Sequence, residues 1–153
     1  MFFLYAGVVI FTVLLDQLSK FIVSSNMILG ENIPLIKGFF EITYDQNKGA
    51  AFGILKDQPW IFISITIVVI LILILLLARN KFEKQLTKIA CCLIIGGGIG
   101  NLIDRILNGF VVDFIDFKAI YFVCPAIFNL ADTFVCVGTV LFAISFLFME
   151  KKI

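Results

Sequence analysis

The amino-acid sequence predicts a mainly α-helical membrane protein in which four transmembrane helices carry a small extracytoplasmic β-sheet. Three observations lead there. Of 153 residues, 61% are hydrophobic, well above the roughly 45 to 50% of a soluble domain. Four apolar runs, Phe2 to Val23, Trp60 to Ala78, Leu86 to Ile103 and Ile127 to Met149, approach the roughly 20 residues that cross a bilayer. The connection after the first run alternates apolar with polar residues, the period of a half-buried strand. Little chain is left for anything else. One integral-membrane domain over residues 1–153 is expected, with outer loops at 24–59 and 104–126 and a cytoplasmic loop at 79–85.

The first run has no basic residues over Met1 to Tyr5 and is too long for the apolar core of a cleaved leader, so it is expected to stay as the first span. In the loop that follows, Phe40, Ile42 and Tyr44 alternate with Glu41, Thr43 and Asp45. The turn signal Asn47 to Gly49 comes next, and the apolar GAAFG, Gly49 to Gly53, then predicts a hairpin. Trp60 opens the second run as an interfacial aromatic. The loop after that run holds Arg79, Lys81, Lys84 and Lys88, and the C-terminus adds Lys151 and Lys152. The positive-inside rule places both segments, and hence both termini, on the cytoplasmic side.

In the third run, IGGGIGN sets Gly96 and Gly100 four apart with Gly97 and Gly98 between them. No strand precedes this segment and no Lys-Ser/Thr follows it, so it suits close helix packing rather than phosphate binding. Beyond Asp104 and Arg105, NGFVVDFIDFKAIYFVCP is too short and too charged to span. It is expected along the outer interface, partly helical.

Composition removes several chemistries. The chain has no histidine, so neither an HExxH zinc site nor a Ser-His-Asp triad nor a Cys-His pair can form. A net charge of +1 argues against a nucleic-acid partner. Cys91 and Cys92 are adjacent within a span, and neither Cys124 nor Cys136 forms a CxxC pair. The four cysteines are therefore expected to pack as small apolar side chains.

Ionisable residues within spans are costly and mark candidate sites. They are Asp16, Lys20, Asp104, Arg105, Asp113, Asp116 and Asp132, and a rise of about 1.5 Å per residue puts all seven toward the outer membrane face. Asp16 and Lys20, four apart, form an ion pair on one helix face that orients the first span or tethers the outer loop. The functional rival is a Ser-Lys dyad using Ser19 or Ser24. Asn101 shares a helix face with Asp104 and Arg105, which suits either a charged helix end or a polar cluster holding a neighbouring carboxylate.

Two carboxylates brought together in a water-poor site share a proton, which equips an aspartic protease without metal or histidine. Asp132, at a helix start, is one candidate, and spacing leaves its partner open among Asp104, Asp113 and Asp116. A small proton-coupled exporter would instead place its acid near the bilayer midplane. A non-catalytic membrane assembly subunit would use the charges for helix pairing alone.

Five ordered motifs are similar to those of the lipoprotein signal peptidases, the type II (prolipoprotein) signal peptidases of bacteria. They are DQLSK at Asp16 to Lys20, NKGAAFG at Asn47 to Gly53, GGGIGNLIDR at Gly96 to Arg105, GFVVDF at Gly109 to Phe114 and FNLAD at Phe128 to Asp132. The resemblance covers essentially the whole chain. It implies an aspartic endopeptidase of the cytoplasmic membrane that removes the signal peptide of a prolipoprotein on the amino side of its diacylglyceryl cysteine. It also implies that Asp113 and Asp132 are the catalytic pair, supported by Asp16, Lys20, Asn47, Gly49, Asn101, Asp104, Arg105 and Asn129. The implied fold has four transmembrane helices, a β-sheet cradle and a short interfacial helix on the outer face.

Diacylglyceryl-modified prolipoproteins and membrane lipid are the expected partners, with no cofactor or metal, and a monomer is expected. Gly98 stands where relatives commonly carry Ala, a change confined to helix packing.

Overall fold

The computed structural model describes residues 2–49, 58–122 and 126–148. The elements run α1 (Phe2–Asn26), β1 (Asn32–Ile36), β2 (Phe40–Asn47), α2 (Pro59–Ala78), α3 (Gln85–Leu107), β3 (Val111–Asp116), a 3₁₀ turn (Lys118–Ile120), β4 (Ile127–Phe128) and α4 (Leu130–Phe148). All four helices are long and apolar enough to cross a membrane, and the strands form one antiparallel sheet in the order β1-β2-β3-β4. The predicted fold class is the one found.

The bundle is polar inside and apolar outside. Thr12, Asp16, Lys20, Thr87, Asn101, Asp104, Asn129 and Ser145 are buried, while Leu14, Phe21, Ile65, Leu71, Val140 and Leu147 are exposed. In lipid, apolar side chains have no reason to leave the surface, so helices associate through small residues and interhelical hydrogen bonds. The Thr87 and Ser145 hydroxyls meet at 2.7 Å between α3 and α4.

Helix α3 packs on the other three, and glycines on α3 and α4 set how closely. A Cβ on Gly97 would collide with the Ala131 carbonyl of α4, one on Gly138 would come within 2.9 Å of the Ala90 carbonyl of α3, and one on Gly100 would strike the Asp16 carboxylate. At Gly98 a Cβ would meet side-chain carbons of α2 rather than backbone, Ile70 Cδ1 at 3.3 Å and Thr66 Cγ2 at 3.4 Å being the nearest. Gly98→Ala is therefore expected to lower the melting temperature in detergent by no more than a few degrees, since the tightest neighbour is the end of a flexible side chain that can give by a few tenths of an ångström. Gly100→Ala should destabilise by about 1 to 3 kcal/mol through overpacking and lower activity through Asp16. Equal melting temperatures for the two variants would contradict this contrast.

The sheet caps one end of the bundle, where Val23 of α1 packs with Tyr44, Val112 and Phe114. Helix α3 continues past the expected end at Ile103 to Leu107. Its last turn closes as Asn108 N–H donates to the Asp104 carbonyl at 2.8 Å and Gly109 N–H to that of Arg105 at 3.2 Å. Gly109, at φ +77°, has the left-handed conformation that ends helices and favours glycine. It turns the chain directly into β3.

Three expectations need correction. The 104–126 connection, expected along the outer interface and partly helical, instead folds Val111 to Asp116 as a buried strand inside the sheet, and its helical part beyond α3 is the single turn Lys118–Ile120. A strand forms because the Val-Val-Asp-Phe-Ile run can pair on both sides, with β2 and β4. In β2 the alternation breaks, with Thr43 and Tyr44 both buried, because a register shift lies between Ile42 and Asp45, as a bulge produces.

Cys136 is exposed, unlike the buried Cys91 and Cys92, because its face of α4 is turned away from the bundle. The turn before β2 lies at residues 37–39, joining it to β1. The proposed second hairpin arm after Gly49, together with Cys124, Lys151 and Lys152, lies outside the described residues.

Candidate active site

The start of α4 organises the site. Asn129 precedes the helix, and its Oδ1 accepts the Asp132 backbone N–H at 2.9 Å, while Asp132 Oδ2 accepts the Asn129 backbone N–H at 3.2 Å. This reciprocal pair is a capping box, satisfying two amides that a helix end leaves open. A third, Ala131 N–H, donates to Asp16 Oδ1 at 2.9 Å across from α1. The backbone geometry that begins α4 thus also sets where the Asp132 carboxylate stands.

Strand β4 delivers this helix start to β3. Phe128 pairs with Ile115 and Ile127 with Asp116, which brings the next residue, Asn129, alongside β3, and its side chain reaches diagonally so that Nδ2 donates to Asp113 Oδ1 at 2.6 Å. From the other side β2 pairs Asn47 with Val111, and the Asn47 amide reaches diagonally to donate to Asp113 Oδ2 at 2.9 Å. Asn47 Oδ1 accepts the Gly49 N–H at 2.9 Å, an Asx turn that fixes which end of the amide faces Asp113.

Asp132 Oδ1 accepts Asn101 Nδ2 at 2.7 Å. All four oxygens of the two carboxylates therefore receive an N–H, and Asn129 binds both residues. Arg105 completes the polar wall, its guanidinium 5.3 Å from the Phe62 ring centre and 3.4 Å from the Asn101 carbonyl, within electrostatic range of Asp132 and Asp113.

Behind the pair lies a buried ionic cluster. Lys20 Nζ is 2.8 Å from Asp16 Oδ2, 3.1 Å from Asp104 Oδ2 and 3.0 Å from Asn101 Oδ1. Gln17 Nε2 spans the two carboxylates, 3.2 Å from Asp16 Oδ2 and 3.1 Å from Asp104 Oδ1. Asp104 Oδ2 also accepts the Val112 N–H of β3 at 3.1 Å. Hence Asp16 holds α4 and Asp104 holds β3, the two elements that carry the carboxylate pair. Breaking such buried pairs is costly because it strands an uncompensated charge.

Burial, and next the charge of Asp132, push the Asp113 carboxyl up to about 7, against the Asn47 and Asn129 hydrogen bonds and the Lys20 charge that pull it down. Asp113 is 2% exposed, whereas Asp132 is half-buried. Two such groups can hold one proton between them near neutral pH, one acting as acid and the other as base.

Every expected site residue falls in this assembly. Asp116 does not: an odd spacing along β3 turns it to the face opposite Asp113, where it meets Thr43 Oγ1 at 2.9 Å and Lys118 Nζ at 2.6 Å. The Ser-Lys alternative fails on geometry. Ser19 and Ser24 hydroxyls donate to the Asp16 and Phe21 carbonyls of their own helix, and the three hydrogens of the Lys20 ammonium already have three acceptors.

Sequence reasoning singled out neither Gln17 nor the backbone amides of Val112 and Ala131. The capping spacing Asn-x-x-Asp in FNLAD was a legible signal for the α4 start.

A family model described as "Signal peptidase (SPase) II" matches residues 8–148. The chain belongs to the signal peptidase II family. Among the relatives of this signal peptidase II chain is the lipoprotein signal peptidase of Clostridioides difficile (strain 630), 42% identical over 97% of this chain and 98% of that one. The lipoprotein signal peptidase of Bacillus pumilus (strain SAFR-032) is 43% identical over 90% and 88%. A bacterial membrane enzyme solved at 2.3 Å resolution superposes with a TM-score of 0.86 and 33% identity, over 97% of this chain and 93% of that one. This signal peptidase II family member is accordingly a peptidase and a multi-pass membrane protein of bacterial type.

Proposed function

We propose that this chain removes signal peptides from lipid-modified bacterial prolipoproteins as an aspartic endopeptidase, cleaving before the diacylglyceryl cysteine with Asp113 and Asp132 as its catalytic pair. The observation that carries the reading is the joint hold of Asn129 on both carboxylates, in a site where burial raises the proton affinity of one of them. The ionised member takes a proton from water as it attacks the scissile carbonyl, and the protonated member donates to the carbonyl oxygen. The leaving amine then collects the proton as the tetrahedral intermediate collapses.

The site lies at the sheet end of the bundle, and the opposite end carries Arg79, Lys81, Lys84 and Lys88. By the positive-inside rule the termini are cytoplasmic and the site is near the outer face. A single domain spans 1–153, and the protein acts as a monomer. A site at that depth meets a scissile bond only when the precursor is anchored there, so the diacylglyceryl group is part of recognition. Purified enzyme should cleave a lipidated precursor far faster than the same precursor without lipid. Equal rates would remove the lipid from recognition.

The pH dependence follows from Asp113. Cleavage should decline as pH rises through about 7, where Asp113 loses the proton that the pair shares, seen as a falling kcat on the alkaline side. A group whose folded pKa is raised binds its proton more tightly in the folded state. Its stabilising contribution is complete below about 3.8 and is lost as pH rises through about 7. Thermal unfolding of the wild type should therefore weaken across that window, and that part of the slope should be missing in Asp113→Asn.

A further inference from the structure

Lys20 is 3% exposed and performs no step in the reaction above. Two of its contacts, to Asp16 and Asp104, are ion pairs, but the third goes to a neutral amide, Asn101 Oδ1. That amide is the one whose Nδ2 donates to Asp132 Oδ1.

An asparagine side chain can turn over with almost no change in shape, exchanging its donor and acceptor ends. In the observed orientation Asn101 Oδ1 accepts from both Lys20 Nζ and Asn129 Nδ2. Turned over, its NH₂ would face an ammonium and another NH₂, and its oxygen would face a carboxylate. Of the groups holding the oxygen end, Lys20 is the charged one, and charged donors are about twice as strong as neutral ones.

We propose that Lys20 is a positioning residue for cleavage: it locks the Asn101 amide with its NH₂ toward Asp132, so that the carboxylate meets a donor in a fixed direction. This rests on the reading of Asp113 and Asp132 as the catalytic pair. It gives the lysine a role that neutralising Asp16 and Asp104 does not supply, and predicts that the hold of Lys20 on Asp132 runs through Asn101.

A double-mutant cycle tests it, run in an Asp104→Asn background so that losing the lysine charge is balanced by losing one carboxylate. Within that background, Lys20→Met and Asn101→Leu should each lower kcat about 10²-fold, the scale of a misplaced catalytic group, with KM nearly unchanged. The two together should lower it no further than either alone. Multiplied losses would overturn the proposal, as would a Lys20→Met protein with the kcat of its background. Failure of both Lys20→Met in this background and Lys20→Arg to accumulate would assign the lysine to folding and overturn it equally. Asp132→Asn in the same assay keeps the two readings apart, because retained cleavage there would remove the pair itself.

Discussion

Asp113→Asn and Asp132→Asn are each expected to abolish precursor cleavage while the protein still inserts and accumulates. General acid–base catalysis contributes about 10²- to 10⁴-fold, and the loss should lie at the upper end because, in the proposed mechanism, one substitution disables both members of a pair that shares a proton. Folding should survive for a different reason at each position. Asp113 is buried, and an amide there removes the cost of a buried charge.

It also introduces one mismatch, because Asn47 and Asn129 both present NH₂ groups whose other ends are anchored on Gly49 and Asp132. Asp132 is half-buried, and an amide oxygen can still accept the Asn129 backbone N–H. Cleavage measured on a lipidated precursor beside immunoblotted protein levels decides the matter. Retained cleavage in either variant would end the two-aspartate mechanism, and loss of the protein itself would favour a structural role for the charges.

The second large effect belongs to Asn129→Ala. Asn129 is wholly buried, and its side chain caps α4 while holding Asp113 and Asn101. Removing the cap should cost about 1 kcal/mol, seen as a lower melting temperature. Freeing Asp113 should lower kcat about 10²-fold through lost orientation.

Asn129→Ser separates the two consequences, since a serine hydroxyl can accept the Asp132 N–H but is too short to reach Asp113. It should regain most of the stability and little of the activity. Serine restoring both would reduce Asn129 to a helix cap.

Much of this arrangement was legible in the chain. The four spans follow from the length of their apolar runs, and the polar residues that interrupt them could be singled out because lipid gives such groups no other place. Asp16 and Lys20 pair on one helix because four residues make about one turn. The route of the 104–126 connection was harder to read. Val111 to Asp116 is apolar enough for an interfacial helix, and only the strands on either side of it make it β3.

Choosing Asp113 over Asp116 also escaped local spacing, since the two stand three residues apart in one strand and only the sheet turns them to opposite faces. Cys136 was misplaced for a similar reason, because the side of a helix that faces lipid is set by its neighbours.

By itself, the sequence determined that this is a four-span membrane protein with a small sheet and with carboxylates gathered near one end, because hydropathy, helical rise and strand alternation act over short stretches of chain. Tertiary structure decided which groups meet. Asn47, Asn101 and Asp113 come from three separate elements and Asn129 from the junction of β4 with α4, and their contacts depend on the pairing of β2 and β4 with β3 and on the glycine-lined approach of α3 to α1 and α4. The direction of an amide, and hence whether a carboxylate meets a donor or an acceptor, is set by partners as distant in sequence as Lys20 and Asn101.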